Sequence, residues 1–315
     1  MVATVSPEAP TGWPPVTVVV PTRDRPQLLR SALRAILEQD YPGPIDVVVV
    51  YDQSEPDRSL ESTADPRRRV RVLGNQRTPG LAGARNSGVL TATGQLIAFC
   101  DDDDEWLPGK LRAQVAALQA HPEAYLVSCG IRITYDGRTV DRVLPWDSVP
   151  LAALLRDRLT ELHPSTFLMR AEALHAGCAL VDEEIPGSYA EDYELLLRVA
   201  RRAPVINVPV PYVLVRWHTN SYFTGRWETI ATALQWLLRR YPEFGDVPAG
   251  EARIAGQIAF AQAASGDRRG ALRWARRALT RNPGEPRGWL SLAVAGRLVR
   301  AETVLRVLHR RGRGV

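Results

Sequence analysis

The apolar run Leu96-Ile97-Ala98-Phe99-Cys100 is followed at once by four aspartates, Asp101 to Asp104. A run of that length reads as a strand buried on both faces. Four like charges have no place inside a sheet without partners. The strand must therefore leave the core after Cys100 and deliver its carboxylates to an edge. Carboxylate oxygens gathered there suit a hard divalent cation, Mg²⁺ or Mn²⁺. A cation held by so few carboxylates still needs ligands, and phosphate oxygens are the usual ones. The residues by themselves point to a metal-bound diphosphate.

The flanking pattern extends this to a fold class. Val16 to Val20, ended by Pro21, and Ile45 to Val50 are further buried strands, and Arg69 to Leu73 is a shorter one. Between them Gln27 to Gln39 keeps Leu28, Leu29, Ala32, Leu33, Ile36 and Leu37 on one helical stripe, stopped by Tyr41-Pro42-Gly43-Pro44. Leu81 to Ala92 reads as a second helix. Strand–helix alternation of this kind predicts an α/β domain, Rossmann-like, with a mostly parallel sheet flanked by helices. Ligands sit at the carboxyl ends of such strands. Asp24, Asp52 and Asp101 all fall just past strand ends, so three separated carboxylates are expected to converge on one cleft.

Further along, Trp106-Leu107-Pro108 opens a helix through Leu118, with Asp104 and Glu105 as candidate N-cap acids. Tyr125 to Thr134 and Thr139 to Leu144 read as a hairpin around Asp136-Gly137. Ser165 to Met169 is a candidate strand, and Glu191 to Arg201 a helix. Val205 to Val215, broken by prolines, is expected near a sheet edge.

From about Ala249 the chain becomes Ala-, Leu- and Arg-rich and reads as three or four short helices. This segment is either a single tetratricopeptide-like pair or a helical cap. Residues 268 to 315 hold 13 arginines and two acids, a net of 13 − 2 = +11. The whole chain is +5, which leaves 5 − 11 = −6 for residues 1 to 267. The basic excess is either a solvated helical face or a surface for an anionic partner. Three scattered cysteines exclude a disulfide framework and fit a reducing cytoplasm. No apolar stretch reaches bilayer length and no secretory signal is visible. The expected organisation is a Pro-rich, disordered start (1–15), an α/β domain (16–245) and a small all-α segment (246–315).

Five segments, read together, resemble the family 2 glycosyltransferases, which have the GT-A fold. They are Val16-Thr17-Val18-Val19-Val20-Pro21-Thr22-Arg23-Asp24-Arg25, Val50-Tyr51-Asp52-Gln53-Ser54, Gly80-Leu81-Ala82-Gly83-Ala84-Arg85-Asn86-Ser87-Gly88, Ile97 through Trp106, and Ala190-Glu191-Asp192-Tyr193-Glu194-Leu195. The resemblance implies an inverting, metal-dependent hexosyltransferase that uses a nucleoside-diphosphate sugar. It maps the strand-end D-x-D motif onto Asp101-Asp102-Asp103, with Asp103 ligating Mn²⁺ or Mg²⁺ and Asp101 facing the ribose or sugar. Asp192 becomes the catalytic base that takes the acceptor's proton. Arg216-Trp217-His218 resembles the family's R-x-H element, which makes His218 a metal or phosphate contact. Pro21, Thr22, Arg23, Asp24, Asp52 and Asp102 fall where the family holds the nucleoside and donor. Arg85 has the forked geometry to clamp phosphate. His163 lies where the family lines the acceptor side, and a structural role is equally open to it. Tyr51-Asp52-Gln53-Ser54 departs from the family's usual two acids and a glycine, which bears on the choice of base.

The alternatives are a nucleotidyltransferase and a non-catalytic sugar-nucleotide- or peptide-binding protein. The first lacks its glycines after Val20, and the retained Asp103 and Asp192 oppose the second. Expected partners are the nucleotide-sugar donor and a glycan, lipid, peptide or small natural-product acceptor, with no nucleic acid. Peripheral contact with the membrane's inner face through the basic helices, and a homodimer, are compatible with the chain.

Overall fold

The computed structural model describes residues 12–135, 137–216 and 225–310. The chain divides into two units. The first comprises residues 1–148, 161–180 and 205–217, and the second residues 149–160, 181–204 and 218–315.

The first unit is built on one sheet. Its strands are β1 (Val16–Thr22), β2 (Ile45–Tyr51), β3 (Ser62–Asp65), β4 (Arg68–Gly74), β5 (Leu96–Phe99), β6 (Glu105–Trp106), β7 (Leu126–Tyr135) and β8 (Arg138–Arg142). After the two-residue β9 (Ser148–Val149), where the chain passes between units, come β10 (Leu168–Arg170) and β11 (Val205–Arg216). The order is β3-β4-β2-β1-β5-β10-β7-β11-β6, with β8 paired to β7. β4, β2, β1 and β5 run parallel, with Thr22 opposite Tyr51 and Tyr51 opposite Gly74. The residues that follow these strands therefore emerge along one edge.

The expected α/β class with a largely parallel sheet is what the chain forms. β10 is the exception in the middle, antiparallel to both β5 and β7. Helices α1 (Pro26–Leu37), α2 (Leu81–Leu90) and α3 (Lys110–Ala120) belong to this unit. Leu29, Leu33 and Ile36 of α1 and Leu111, Val115 and Leu118 of α3 join the valines of β1 and β2 in its core.

One local expectation holds and two change. β11 lies near the sheet edge, followed in the order only by the two-residue β6, and its prolines are absorbed by register shifts around Val208 to Val213. Asp104 and Glu105 are not caps of α3, which starts only at Lys110, and Glu105 instead pairs in β6 with Leu214. Residues 12 to 15 are part of the structure: Trp13 meets the Tyr41 ring edge-on at 5.4 Å, and the Tyr41 hydroxyl donates to the Pro14 carbonyl. The ring contact of the exposed Trp13, with the Arg112 guanidinium 5.5 Å over it, and the Tyr41–Pro14 hydrogen bond override the prolines' tendency to leave a terminus loose.

The second unit holds α4 (Leu151–Arg156), α5 (Glu191–Ala200), α6 (Trp227–Arg240), α7 (Pro248–Ser265), α8 (Arg268–Arg281), α9 (Pro286–Ala295) and α10 (Ala301–Arg310). α7 is its spine, packing on α4, α6, α8 and α9. At Gly250 the α7 backbone comes so close to α4 that a Cβ would lie 1.9 Å from the Leu155 carbonyl oxygen. This unit takes in residues 149–160 and 181–204, so the division does not fall at 245/246. Leu154 and Leu155 are buried where α4 meets α5 and α7, and a boundary drawn along the chain misses such pairings.

Candidate functional site

The acidic run sits at the strand edge of the first unit. Asp101 and Asp102 follow β5 after Cys100, and each carboxylate has its own holder. Thr22, at the end of β1, donates its hydroxyl to Asp102 at 2.7 Å. One nitrogen of Arg25 donates to Asp102 at 3.2 Å and to Asp103 at 2.7 Å. Arg85 is 1% exposed. It lies 5.5 Å over the Phe99 ring and donates to Asp101 at 2.6 Å.

Asp104 turns into the protein. Its carboxylate accepts from the Ser165 hydroxyl at 2.5 Å and lies 3.3 Å from Nδ1 of His163. The Ser165 hydroxyl in turn accepts the Asp101 backbone N–H at 2.9 Å. The 3₁₀ turn Pro164–Thr166, with His163 at its N-cap, sets this geometry. The Trp106 indole and the Gln114 amide fix the turn from below by donating to the carbonyls of Ser165 and Thr166.

Crowding is visible in the electrostatics. Burial pushes the Asp102 carboxyl up to about 6, against the lowering effect of the Thr22 hydroxyl. Burial also raises Asp103, and the charge of Asp101 adds to it. Asp104 is held well above the usual carboxylate range by burial and then by the charges of Asp101 and Asp103. Ligating atoms of Asp101, Asp104 and His163 all lie within 4.8 Å of one another. Two carboxylates and an imidazole fit Mn²⁺ or Mg²⁺ by donor type, and a cation there relieves the repulsion.

The structure thus distributes the expected residues unevenly. Asp101 and Asp102 are where the sequence puts them. Asp103 faces Arg25, and Asp104 and His163 take the place beside Asp101 that was expected of Asp103. Arg85 is buried beneath the site and holds Asp101, so its fork is not open to solvent for a phosphate. Asp24 is exposed with φ 54° and lies 3.9 Å from Arg23, apart from the acidic network. Pro21 and Thr22 are buried at the end of β1, and Arg23 is exposed.

Asp52 organises a loop. Its oxygens accept from the Asn75 amide at 2.8 Å, the Gln53 amide at 2.9 Å and the Gly80 backbone N–H at 3.0 Å. This pins the turn before α2, where a Cβ on Gly83 would lie 1.9 Å from the Thr78 carbonyl oxygen. Arg216 pairs with Glu105 across β11 and β6. His218, and Trp217 before it, lie outside the described residues.

Asp192 belongs to the second unit. It sits in the first turn of α5, a position the helix dipole favours for an acid. Both its oxygens lie 2.8 Å from one nitrogen of Arg158. Arg158 follows α4, and nothing in its local sequence marks it. The roles of Arg25 and Ser165 were equally unmarked, although both stand next to residues the motifs single out.

Residues 17–177 match the family model described as "Glycosyl transferase family 2". Among curated proteins, the chain is 28% identical over 103 residues to the Escherichia coli UDP-Glc:alpha-D-GlcNAc-diphosphoundecaprenol beta-1,3-glucosyltransferase WfgD. That alignment covers 33% of this chain and 40% of the relative, so the chain spans well under two thirds of that enzyme's length. Among solved structures, S. aureus TarS 1-349 in complex with UDP-GlcNAc has a TM-score of 0.58 at 16% identity, covering 95% of this chain and 92% of the other. The mannosyltransferase PcManGT from Pyrobaculum calidifontis, in complex with GDP-Man and Mn²⁺, has a TM-score of 0.55 at 21% identity, covering 92% and 81%. These structural likenesses establish the GT-A fold.

Proposed function

Because this chain belongs to glycosyltransferase family 2, we propose that it moves a hexosyl group from a nucleoside-diphosphate sugar to an acceptor hydroxyl, with inversion. The observation that carries this reading is the gathering of Asp101, Asp104 and His163 at the strand edge. Asp101, Asp103, Asp104 and His163 are the candidate ligands of a divalent cation, with His218 as a further one. Such a cation, when bound, supplies Lewis-acid stabilisation of the diphosphate leaving group.

This chain's own residues do the rest. Thr22 and Arg25 hold Asp102 and Asp103 on the donor side. Arg85 fixes Asp101. Asp192 accepts the proton of the attacking hydroxyl, and Arg158 orients its carboxylate. For the acceptor we take the class named in the WfgD relative, a lipid-linked diphosphate sugar. On this reading the enzyme works at the inner face of a membrane. No helix among the described residues is long and apolar enough to cross one.

A thermal-shift screen of nucleoside diphosphates, with and without Mn²⁺, tests the donor half. Binding to the folded state raises its melting temperature, so one base should shift it only when Mn²⁺ is present. Release of nucleoside diphosphate from the matching sugar donor tests the chemistry. Asp192→Asn should lower it by ~10²–10⁴-fold while the thermal shift stays. Shifts that ignore Mn²⁺, or turnover untouched by Asp192→Asn, would refute the reading.

A further inference from the structure

The helices α8 to α10 end in a surface that the proposed reaction does not use. The loop between α9 and α10 reads Arg297-Leu298-Val299-Arg300, with Arg297 in the left-handed region at φ 59°. Leu298 is 81% exposed, and Val299 is exposed beside it. α10 continues directly from this tip. It buries Ala301 and Val304 in the unit's own core and turns Arg306 and Val307 outward. The outward stripe of α8 is Arg268, Arg269, Leu272, Arg273 and Arg276, all exposed. None of these exposed arginines forms an ion pair among the described residues, whereas Arg277 and Arg281 of the same helix pair with Glu251.

Unpaired arginines alone would suit any polyanion. The tip adds something a soluble polyanion does not reward: two aliphatic side chains held out in water between two arginines. A bilayer surface rewards both, because the aliphatic groups enter the acyl boundary while the guanidinium groups meet lipid phosphates. We propose that the α9–α10 tip and the outward face of α10 dock on an anionic lipid bilayer, with Leu298 and Val299 inserted and Arg297, Arg300 and Arg306 on the headgroups. The α8 arginines add to the attraction. This deepens the lipid-linked acceptor reading above by naming the surface that brings the enzyme to its acceptor. Its test needs no turnover, so the two proposals fail separately.

The experiment is co-sedimentation of the full chain with vesicles of phosphatidylcholine alone and with vesicles rich in phosphatidylglycerol. Binding is expected only to the second, and to weaken as salt rises. Leu298→Asp should weaken it about tenfold through the lost apolar insertion, and Arg300→Glu at least about fivefold. Both side chains are exposed, so melting temperatures should match the wild type and confirm that the variants fold. Failure to bind phosphatidylglycerol vesicles, or equal binding to both compositions, overturns the proposal. So does binding that Leu298→Asp leaves intact and that soluble polyphosphate competes away, which would identify a general polyanion surface.

Discussion

Asp192 and Arg158 form a closed pair in which both carboxylate oxygens stand 2.8 Å from a single guanidinium nitrogen. Burial works against the Arg158 charge, and Asp192, Tyr189 and Glu191 together outweigh it, so the guanidinium is held above its usual value. Asp192, in the first turn of α5, and Arg158, just past α4, are thus one electrostatic pair within the second unit. Arg158→Gln should cost on the order of 1–2 kcal/mol in urea unfolding, a figure lowered because Arg158 is part exposed. It should also reduce turnover and change its pH profile. Nucleotide binding should survive, because the candidate donor residues belong to the first unit. Arg158→Lys keeps the charge and should recover part of the loss. Wild-type turnover with an unaltered pH profile in Arg158→Gln would remove Arg158 from the machinery.

The acidic edge makes a second prediction. His163 is the one non-carboxylate member of the gathered set. His163→Ala should weaken Mn²⁺ binding by about tenfold or more in calorimetric titration, in line with losses seen when metal-site partners are removed. Asp24→Asn changes an exposed carboxylate outside the network and should leave Mn²⁺ affinity unchanged. If the two variants behave alike, the cation sits elsewhere.

Lys110 gives a pH-dependent test of stability. It is fully buried, its ammonium lies 3.7 Å from the centroid of the Trp106 ring, and it has no hydrogen-bond partner among the described residues. Burial lowers its pKa from 10.5 to about 8. The unfolded chain therefore binds more protons than the folded one between those two values, so this lysine makes stability rise with pH across that window. Below it, the buried charge costs on the order of 3 kcal/mol at most. Lys110→Met should abolish the rise and leave the protein at least as stable near neutrality, as read by denaturant unfolding at several pH values. An equally steep rise in the variant would mean that another group titrates there.

The turn before α2 is built on a contact too close for any side chain. A Cβ at Gly83 would meet the Thr78 carbonyl oxygen at 1.9 Å, which is backbone and cannot swing away. Gly83→Ala should destabilise by about 1–3 kcal/mol or more. It should also disturb the Asn75–Gly80 loop that Asp52 holds, and so weaken nucleotide binding. Unchanged melting temperature in Gly83→Ala would show that the loop yields.

The sequence alone determined the sheet and its functional edge. Val16 to Val20, Ile45 to Val50 and Leu96 to Phe99 are too apolar to be anything but buried strands, and charges that follow them must exit on one side. That is why Asp24, Asp52 and Asp101 were legible as residues past strand ends, although Asp24 stands apart from the acidic network; Asp192 was legible through the family resemblance and as an acid at a helix start. Only the tertiary structure decided which partner each carboxylate takes. Arg25 and Ser165 reach the acidic run across 61 to 78 residues of chain, His163 comes in beside Ser165, and Arg158 reaches Asp192 across 34. Hydrogen bonds and ion pairs act over a few ångströms in space and carry no period along the chain. Hydrophobic burial does carry one, and so the core was readable while the wiring of the site was not.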